Sequence, residues 1–522
     1  MFNSSPARRL ASVAAVFAFL LAAVPAIGQA MPETRKFTAS DGATDDNFGG
    51  AVAIDGTTAV VGASDDDDAA SRSGSAYLFD TVTGVQRFKL NASDPIAFAG
   101  FGSAVAVSGS IAMVGAPGGQ GAFSGQGTAY LFSTVTGIEL HRLVAPLGDP
   151  VDEFANSVAI SGTVAVVGAR GDSHAGSNAG SAYVIDAVTG QIRFRLTAPD
   201  AALGDMFGTS VAVSGTLVVV GAPLSDPFGS ASGSVYAFDA TTGQFLFKLI
   251  PDDARTAQHL GASVAISGTT ILVGAPGDNH AGRSTGAAYL FDATTGLQLH
   301  RLVAPDGAEF DEFGSAVSLS GTTAIIGAPR DADNGPNSGS AYLFDARTGA
   351  ALAKLNPSDA GATDGFGNSV AISGTTAIAG APYDDDRGSN AGAAHLFRTA
   401  GPVLIQPSGL VVEPGETAEF ELRLIDPVGV TYQWRRNGVA LADAGHISGS
   451  STPVLRIVAG PDDVALYDCV FARSYGPDRS SDAAALAVLP DPNACYPDAN
   501  GDGVLDFFDI SRFIIEFGRG CP

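Results

Sequence analysis

Cysteine and basic residues are scarce in this sequence of 522 residues. Its three cysteines, Cys469, Cys495 and Cys521, all lie near the C-terminal end, so everything before them must rest on a hydrophobic core without disulfide bonds. The chain has 28 Lys and Arg against 54 Asp and Glu, a formal net charge of −26. This balance argues against nucleic acid as a partner, because nothing would neutralise its phosphates, and favours cations or basic protein surfaces.

Long apolar runs are absent after residue 30. Residues 1–30 contain two arginines, an apolar run from Leu10, then Pro25 and the small-residue end Gly28-Gln29-Ala30. This is the layout of a secretory signal peptide that is cleaved after Ala30. An uncleaved membrane anchor is the alternative, because the apolar run is nearly long enough to span a bilayer. We therefore expect a secreted protein, extracellular or at the cell surface, with no membrane span in the mature chain.

A repeat of 53 residues organises most of the chain. Each unit has four short apolar or alternating runs, such as SVAVS, LVVVGA, GSVYAFD and QFLFKLI in the fourth unit, and Gly, Ser, Asp or Thr bound each run as turns do. Four strands per unit and a period near 50 predict a seven-bladed β-propeller, with a stacked solenoid as the alternative. The units start, usually with Phe-Gly, at Phe48, Phe101, Phe154, Phe207, Leu260, Phe313 and Phe366.

The two ends of the repeat region complement each other. The seventh unit stops at AAHLFRTAGP without a fourth strand, whereas residues 35–47 match the fourth strand and following loop of the sixth unit. We expect the N-terminal strand to complete the last blade and to close a propeller over residues 31–399. The predicted fold is therefore all-β.

The motif FG…GAP…G-x-AY-LF resembles the FG-GAP repeats of integrin α-subunit propellers and of many bacterial surface proteins, over residues 36–399. The resemblance implies a propeller that engages partners through the loops of one face. In integrin-like repeats a cation loop lies between the FG and GAP strands. Here that connection is only Ser-Gly or Asp-Gly, which is too short to wrap an ion, so the calcium sites of the family are not carried over.

Acidic residues instead follow the GAP strand, between strands two and three. An Asp-x-Asp or Asp-x-His pair there can offer two ligands to a cation or partner, although no third carboxylate follows at the next alternate position. The alternative is that these aspartates cap turns by bonding their own backbone. The candidate residues are Asp66, Asp68, Asp172, His174, Asp278, His280, Asp331, Asp333, Asp384 and Asp386.

In a propeller, the loops between strands two and three share a face with the connections from strand four to the next blade. Both sets are acidic here. We expect one strongly negative face, which is the candidate binding surface for an unidentified protein or polysaccharide. A surface charged for solubility is the alternative.

Blades that read VYAFDATTG also resemble the repeats of quinone-dependent dehydrogenases, which would make the propeller an enzyme. Those enzymes lock their blades with tryptophans and often carry a cysteine pair near the cofactor. Here the one tryptophan, Trp434, and all cysteines lie outside the propeller. His141 and His300 share one repeat position, which is typical of repeat residues rather than catalysts. We expect no catalytic residues.

Residues 400–489 resemble an immunoglobulin-like β-sandwich. Trp434 stands where the core tryptophan of that fold belongs, and Tyr467 precedes Cys469 by two residues, as in a tyrosine corner. Leu422 occupies the place of the first cysteine, so no intersheet disulfide is expected, and Cys469 should be a small buried hydrophobe.

Residues 490–522 resemble an EF-hand, more closely the loop and α-helix of a dockerin module. We expect calcium there, with an unoccupied acidic turn as the alternative. A disulfide between Cys495 and Cys521 would staple this small unit. Dockerins carry two such loops whereas this chain has one, so docking to a cohesin is in doubt. The predicted ligands are Asp498, Asn500, Asp502, Val504, Asp506 and Asp509.

The favoured function is non-catalytic binding or adhesion outside the cell or at its surface. One alternative is a component of an extracellular polysaccharide-degrading system, tethered through the dockerin-like tail. The others are a quinoprotein-like enzyme and a purely structural envelope protein.

Overall fold

The structure is a computed structural model that describes residues 33–120, 125–146, 151–398, 403–405, 407, 409–424, 430–473, 479–481 and 483–488. The predicted signal peptide, the predicted calcium ligands Asp498, Asn500, Asp502, Val504, Asp506 and Asp509, and the predicted disulfide pair Cys495 and Cys521 lie outside these residues. The described residues contain no α-helix, and accordingly none that is long and apolar enough to cross a membrane.

Seven four-stranded antiparallel sheets occupy residues 35–398. Consecutive strands pair across each of the first six sheets, as the four runs per unit predicted. The first strand of the chain is β1 (Arg35–Phe37). The first three sheets contain β2 (Phe48–Asp55), β3 (Thr58–Ala63), β4 (Ser75–Asp80) and β5 (Gln86–Leu90); β6 (Ala104–Ser108), β7 (Ile111–Ala116), β8 (Thr128–Ser133) and β9 (Glu139–Leu143); and β10 (Phe154–Ser161), β11 (Val164–Ala169), β12 (Ser181–Asp186) and β13 (Ile192–Leu196).

The next three sheets repeat this pattern. In the fourth unit the strand bounds coincide closely with the four predicted runs, because alternation and turn residues mark both ends of each strand. These sheets contain β14 (Ser210–Ser214), β15 (Leu217–Ala222), β16 (Ser234–Asp239) and β17 (Phe245–Leu249); β18 (Ser263–Ser267), β19 (Thr270–Ala275), β20 (Ala287–Asp292) and β21 (Gln298–Leu302); and β22 (Ala316–Ser320), β23 (Thr323–Ala328), β24 (Ser340–Asp345) and β25 (Ala351–Leu355).

The seventh sheet contains β26 (Ser369–Ser373), β27 (Thr376–Ala381) and β28 (Ala393–Arg398), and its fourth strand is β1. β1 pairs antiparallel with β28, with Arg35 opposite Leu396 and Phe37 opposite Ala394. Strand β2 of the first sheet contacts both β6 of the second and β26 of the seventh. The two ends of the repeat region therefore meet within one sheet.

The core lies between neighbouring sheets, where strands two and three of each unit are buried. Phe48 packs edge-on against Tyr77 and Phe79, with ring centroids 5.5 and 5.9 Å apart. The other start-motif phenylalanines make similar contacts, and Leu260 is equally buried in the fifth unit. Burying each such side chain contributes about 2–3 kcal/mol before the costs of ordering.

The glycine of the Phe-Gly motif lets adjacent sheets approach closely. Gly102 has φ +95°, and a Cβ atom there would lie 2.3 Å from the carbonyl oxygen of Ser75 in the preceding unit. A side chain at this position would push the two sheets apart.

Two further sheets follow the repeat region. The larger has the order β30-β39-β37-β33-β34, with β38 paired to β37, and the smaller has the order β31-β36-β35; β29 pairs with β32. Their strands are β29 (Val403–Ile405), β30 (Leu410–Val412), β31 (Thr417–Glu421), β32 (Arg423–Leu424), β33 (Val430–Arg436), β34 (Val439–Ala440), β35 (Ile447–Ser448), β36 (Val454–Val458), β37 (Ala465–Arg473), β38 (Arg479–Ser480) and β39 (Ala484–Val488), with a 3-10 turn at Pro461–Asp463.

One core joins these sheets. Trp434, Leu422 and Cys469 are fully buried in it, and the Cys469 thiol is free. The indole N–H of Trp434 donates to the Thr452 carbonyl oxygen at 2.9 Å, and the Tyr467 hydroxyl donates to the Asp463 carbonyl oxygen at 2.9 Å. Burial raises the pKa of the Cys469 thiol to about 12, so it remains protonated, as expected of a small buried hydrophobe.

Candidate binding face and its ionic clusters

The loops between strands two and three and the connections to the next unit lie together on one face. Between the first two units, the N–H of Phe98 donates to the carbonyl oxygen of Ser71 at 2.9 Å, and that of Gly100 donates to Arg72 at 3.3 Å. Between the seventh unit and the first, the N–H of Asn47 donates to Asn390 at 3.0 Å. We call this surface the loop face.

The first aspartate of each acidic loop caps its own turn. Asp66 is buried, and its Oδ1 accepts the N–H of Asp68 at 3.1 Å. The same bond recurs from His174 to Asp172, His280 to Asp278, Asp333 to Asp331, and Asp386 to Asp384, at 2.9 to 3.2 Å. The structure thus shows the turn-capping role that was the alternative to cation binding.

The other carboxylate oxygen faces a buried tyrosine. Tyr77 donates to Asp66 at 2.8 Å and Tyr342 donates to Asp331 at 2.8 Å. Burial, the charge of Asp66 and the bond to it raise the pKa of Tyr77. The seven residues at this position, 53 residues apart, are Tyr77, Tyr130, Tyr183, Tyr236, Tyr289, Tyr342 and His395.

A basic residue of strand four completes each cluster. Lys89 Nζ contacts Asp41, Asp66 and Asp68 at 2.8, 3.0 and 2.5 Å. Burial alone would lower the pKa of this ammonium, but its hydrogen bonds to the three aspartates raise it instead. Asp41 lies in the connection that enters the first unit, so Lys89 ties that connection to the acidic loop. We call each set of one basic residue and its aspartates an ionic cluster.

The basic position recurs every 53 residues and was overlooked in the sequence. It accounts for seven of the 28 Lys and Arg of the chain, so the scarce positive charge is concentrated at these clusters. A search for polar residues with the same period as Phe-Gly would have found it. Its members are Lys36, Lys89, Arg142, Arg195, Lys248, Arg301 and Lys354.

The clusters occupy the oxygen atoms that were candidate cation ligands. In the seventh unit, Asp359, Asp384 and Asp386 bring carboxylate oxygens within 4.8 Å of one another, and Lys36 Nζ contacts them at 2.8, 2.7 and 2.6 Å. Lys354 contacts Asp306, Asp331 and Asp333 in the same way, at 2.9, 3.0 and 2.6 Å. The ammonium group supplies the positive charge that a metal ion would otherwise bring.

The histidine members of the candidate loops lie at the edge of the clusters. Arg195 contacts Asp172 at 2.6 Å, and Arg301 contacts Asp278 at 2.8 Å. His280 is exposed, with Nδ1 3.8 Å from Asp253, and His174 is also exposed. His280 Nδ1 lies 2.5 Å from Arg255 Nη2, an arginine of the connection between the fourth and fifth units.

The seventh unit differs because His395 replaces the tyrosine. Its buried imidazole Nδ1 lies 3.0 Å from Glu33 Oε1. Burial opposes ionisation of Glu33, yet the hydrogen bond and charge of His395 lower the pKa of this carboxyl to about 2. Glu33 also accepts the N–H of Ser358 at 3.1 Å, so it links β28 to the connection from the sixth unit.

A second set of buried aspartates lies in the connections between units. Asp46 is buried and accepts the N–H of Ala43 at 2.6 Å. Burial raises the pKa of Asp46 to about 6; the Ala43 bond opposes this rise, and the nearby charge of Asp66 adds to it. Burial likewise raises the pKa of the equivalent residues Asp205, Asp311 and Asp364.

One position of the loop face varies from unit to unit. It directly precedes the capping aspartate, or Gly119 and Ser225 in the second and fourth units; it is partly or fully exposed in every unit, and it changes in size and charge. A rigid frame with variable exposed positions is a common basis of binding surfaces. The seven residues are Asp65, Gly118, Gly171, Leu224, Gly277, Arg330 and Tyr383.

A family model for the FG-GAP repeat matches seven segments, which together make up more than half of the chain. They are residues 32–79, 85–132, 138–185, 193–238, 245–291, 297–344 and 351–397. The chain belongs to the FG-GAP repeat family. Each matched FG-GAP segment begins near a fourth strand and ends in the third strand of the next sheet. Lys89 therefore belongs to a different FG-GAP segment from Asp41, Asp66 and Tyr77, and the ionic clusters join consecutive repeats.

Comparison with curated protein sequences finds no match. Among solved structures, the tandem Ig repeats of Dlar are similar at 15% identity, covering 22% of this chain and 90% of that one, with a TM-score of 0.16. Titin M4 is similar at 24% identity, covering 17% and 94%, with a TM-score of 0.15. Titin domain M7 is similar at 19% identity, covering 17% and 93%, with a TM-score of 0.15.

Proposed function

We propose that this chain is an exported, non-catalytic binding or adhesion protein whose FG-GAP repeats form a closed seven-bladed propeller. The loop face is its interaction platform. The observation that carries the proposal is the contrast between the ionic clusters, whose basic residue recurs in every unit, and the partly or fully exposed position above them, which varies.

The pairing of β1 with β28 supports a closed ring. The bridge between Phe48 and Gly392 supports it too, because it repeats the bridge between Gly74 and Phe101 and five others at the junctions between successive units. A closed ring holds the loops of all units in fixed relative positions, which lowers the entropy cost of binding a large partner.

The ionic clusters change the charge that the loop face presents to a partner. Lys and Arg side chains pair with many of its acidic residues, and we expect this pairing to weaken its attraction for cations. Exposed acids remain at its outer positions, among them Asp67, Asp226 and Asp385. These acids, together with apolar and aromatic side chains such as Phe98, Phe228 and Tyr383, give the face a mixed character suited to protein or polysaccharide partners.

The decisive experiment is capture of partners from the native extracellular milieu by the immobilised full chain. Substituting Asp67, Asp226 and Asp385 together by Arg should remove most of the captured material. The matched control substitutes Val82, Thr241 and Thr294, in the turns between strands three and four on the opposite face, by Arg. If the control reduced capture as strongly, or if the wild-type chain captured nothing, the binding proposal would fail.

We further propose that residues 400–489 are an immunoglobulin-like domain. The fully buried Trp434 and the Tyr467 bond to Asp463 support this.

The sequence similarity of the dockerin-like tail supports calcium binding through Asp498, Asn500, Asp502, Val504, Asp506 and Asp509. Calorimetry of the full chain should show one calcium site that Asp502→Ala abolishes and Asp67→Ala leaves intact; binding unchanged in Asp502→Ala would place calcium elsewhere.

A further inference from the structure

A cleft of about 420 Å³ opens on the loop face between the sixth and seventh units. This volume falls in the range of small-molecule sites, roughly 300–1,000 Å³. The loop of the sixth unit contributes Arg330 and Asn337, and the loop of the seventh contributes Tyr383 and Asn390. We call it the inter-unit cleft.

Tyr383 gives the cleft an aromatic wall. The side chain is 47% exposed, and its ring rests on the backbone, because a Cβ atom at Gly365 would lie 3.1 Å from Tyr383 Cδ2. The six equivalent positions hold Asp, Gly, Leu or Arg, so an aromatic ring stands here in the seventh unit alone. An exposed, backed aromatic ring is a surface on which an apolar ring face can stack.

Amide groups flank this ring. Asn337 and Asn390 occupy the same repeat position, each with φ +51°, a conformation that asparagine tolerates. Asn390 Nδ2 donates to Asp45 at 2.8 Å, and Asn390 also lines the cleft. Asn337 and Tyr383 are both exposed, so the amide of Asn337 and the hydroxyl of Tyr383 are accessible to a ligand. Such groups both donate and accept, as the hydroxyl groups of a ligand also do.

The charged residues of the cleft cancel each other. Arg330 Nη1 lies 2.9 Å from Glu312 Oε1, and the remaining lining side chains are uncharged. Because these two side chains neutralise each other, the lining of the cleft carries no net charge that would attract a charged ligand. The inter-unit cleft is thus neutral on a face that is otherwise acidic at its exposed positions.

We propose that the inter-unit cleft binds a neutral oligosaccharide, with one sugar ring stacked on Tyr383 and its hydroxyl groups bonded to Asn337 and Asn390. This inference rests on the proposed function, because it names the class of partner for one part of the loop face.

The test uses the full mature chain on an array of neutral hexose and N-acetylhexosamine oligosaccharides, followed by calorimetry with the best neutral probe. Uronic-acid oligosaccharides and poly-lysine serve as acidic and basic probes. We expect neutral probes to bind. Tyr383→Ala should weaken binding at least about tenfold, and Asn337→Ala about three- to tenfold.

Two controls isolate the cleft. Tyr383→Phe keeps the ring and should bind within about threefold of wild type, because only one hydrogen bond is lost. Asn178→Ala changes an exposed asparagine with φ +52° at the same repeat position of the third unit, away from the cleft, and should leave the affinity unchanged.

The inference is overturned if no neutral oligosaccharide binds, if only uronic-acid probes or poly-lysine bind, or if Tyr383→Ala binds as well as wild type. Such a result leaves the broader proposal standing as long as the chain still captures partners in a way that depends on Asp67, Asp226 and Asp385. If the chain bound no neutral oligosaccharide and also captured no partner through these aspartates, the cleft proposal and the broader binding proposal would both fail.

Discussion

The sixth and fourth units have the same strands but different ionic clusters. In the sixth, Lys354 contacts three carboxylates, one of which, Asp331, is buried. In the fourth, Ser225 replaces the buried aspartate and bonds to Ser234 at 2.7 Å, and Asp200, at 2.8 Å, is the one carboxylate paired with Lys248 among the described residues.

Strand pairing is the same in both units, with Tyr342 opposite Lys354 and Tyr236 opposite Lys248. The buried aspartate is therefore not needed to specify the blade. Where it is present, it requires an ammonium or guanidinium group, because an uncompensated buried charge costs several kcal/mol.

The largest expected effect comes from removing Lys354. Lys354→Met should destabilise the propeller by about 3–5 kcal/mol, because it leaves the carboxylate of Asp331 buried and uncompensated. Lys248→Met, whose one partner is largely exposed, should cost about 1 kcal/mol or less. Urea unfolding followed by far-UV circular dichroism is the measurement, since Trp434 would report on the C-terminal sheets. Equal losses in the two variants would contradict this account.

The next effect depends on pH and concerns Asp46, where the fifth unit has Gln258 instead. The pKa of Asp46 in the folded state is about 6, which exceeds its usual value, so folding favours the protonated carboxyl. The stability that this protonated form contributes is lost as pH rises through 6. Asp46→Gln should stabilise the chain at pH 7.5 by up to about 3 kcal/mol. The gain should disappear below about pH 4. Unfolding midpoints of both proteins across this range test it; a difference independent of pH would refute it.

A smaller effect should follow from giving the sixth unit the arrangement of the fourth. Asp331→Ser added to Lys354→Met removes the uncompensated carboxylate, and about 1–2 kcal/mol of the lost stability should return. The same urea titration measures this recovery. If the double variant were less stable than Lys354→Met, turn capping by Asp331 would outweigh the cost of its buried charge.

The smallest expected effect is the difference in stability loss between Tyr342→Phe and Tyr236→Phe. Tyr342 bonds to both Asp306 and Asp331, at 2.9 and 2.8 Å, whereas the aspartate position of the fourth unit holds Ser225. Tyr342→Phe should therefore cost about 1 kcal/mol more than Tyr236→Phe, because it removes one of the two donors, Tyr342 and Lys354, that bond to the buried Oδ2 of Asp331. Thermal unfolding of the two variants compares them, and identical losses would mean that Lys354 alone satisfies Asp331.

The sequence predicted the architecture of the repeat region well. The apolar runs located the four strands of each unit, and the match between residues 35–47 and the sixth unit predicted the pairing of β1 with β28. It also located the acidic loops, but it left open whether Asp66 and its equivalents cap turns or bind cations. Lys89 lies 23 residues after Asp66 and 48 after Asp41, so no local pattern joins them.

The sequence did not predict the inter-unit cleft either, because its lining residues are distant in sequence and meet only in the folded chain. Arg330 and Tyr383 stand at equivalent positions of neighbouring repeats. Their side chains line the same cleft because the sixth and seventh sheets pack side by side. The start motif could be found because each Phe-Gly pair serves the same local purpose in every unit. A cleft that forms at a single contact between two units does not recur in the sequence, so a search for repeats cannot find it.

By itself, the sequence determined the number of units, the strands of each and the turns between them, because apolar alternation and glycine positions act over a few residues and recur every 53. Tertiary structure alone decided which charges meet. Electrostatic contacts depend on distance in space, and the packing of sheets brings Lys36 next to Asp384, 348 residues away. That packing brings each acidic loop against a basic residue of strand four, and it leaves outer side chains such as Asp67 and Tyr383 exposed.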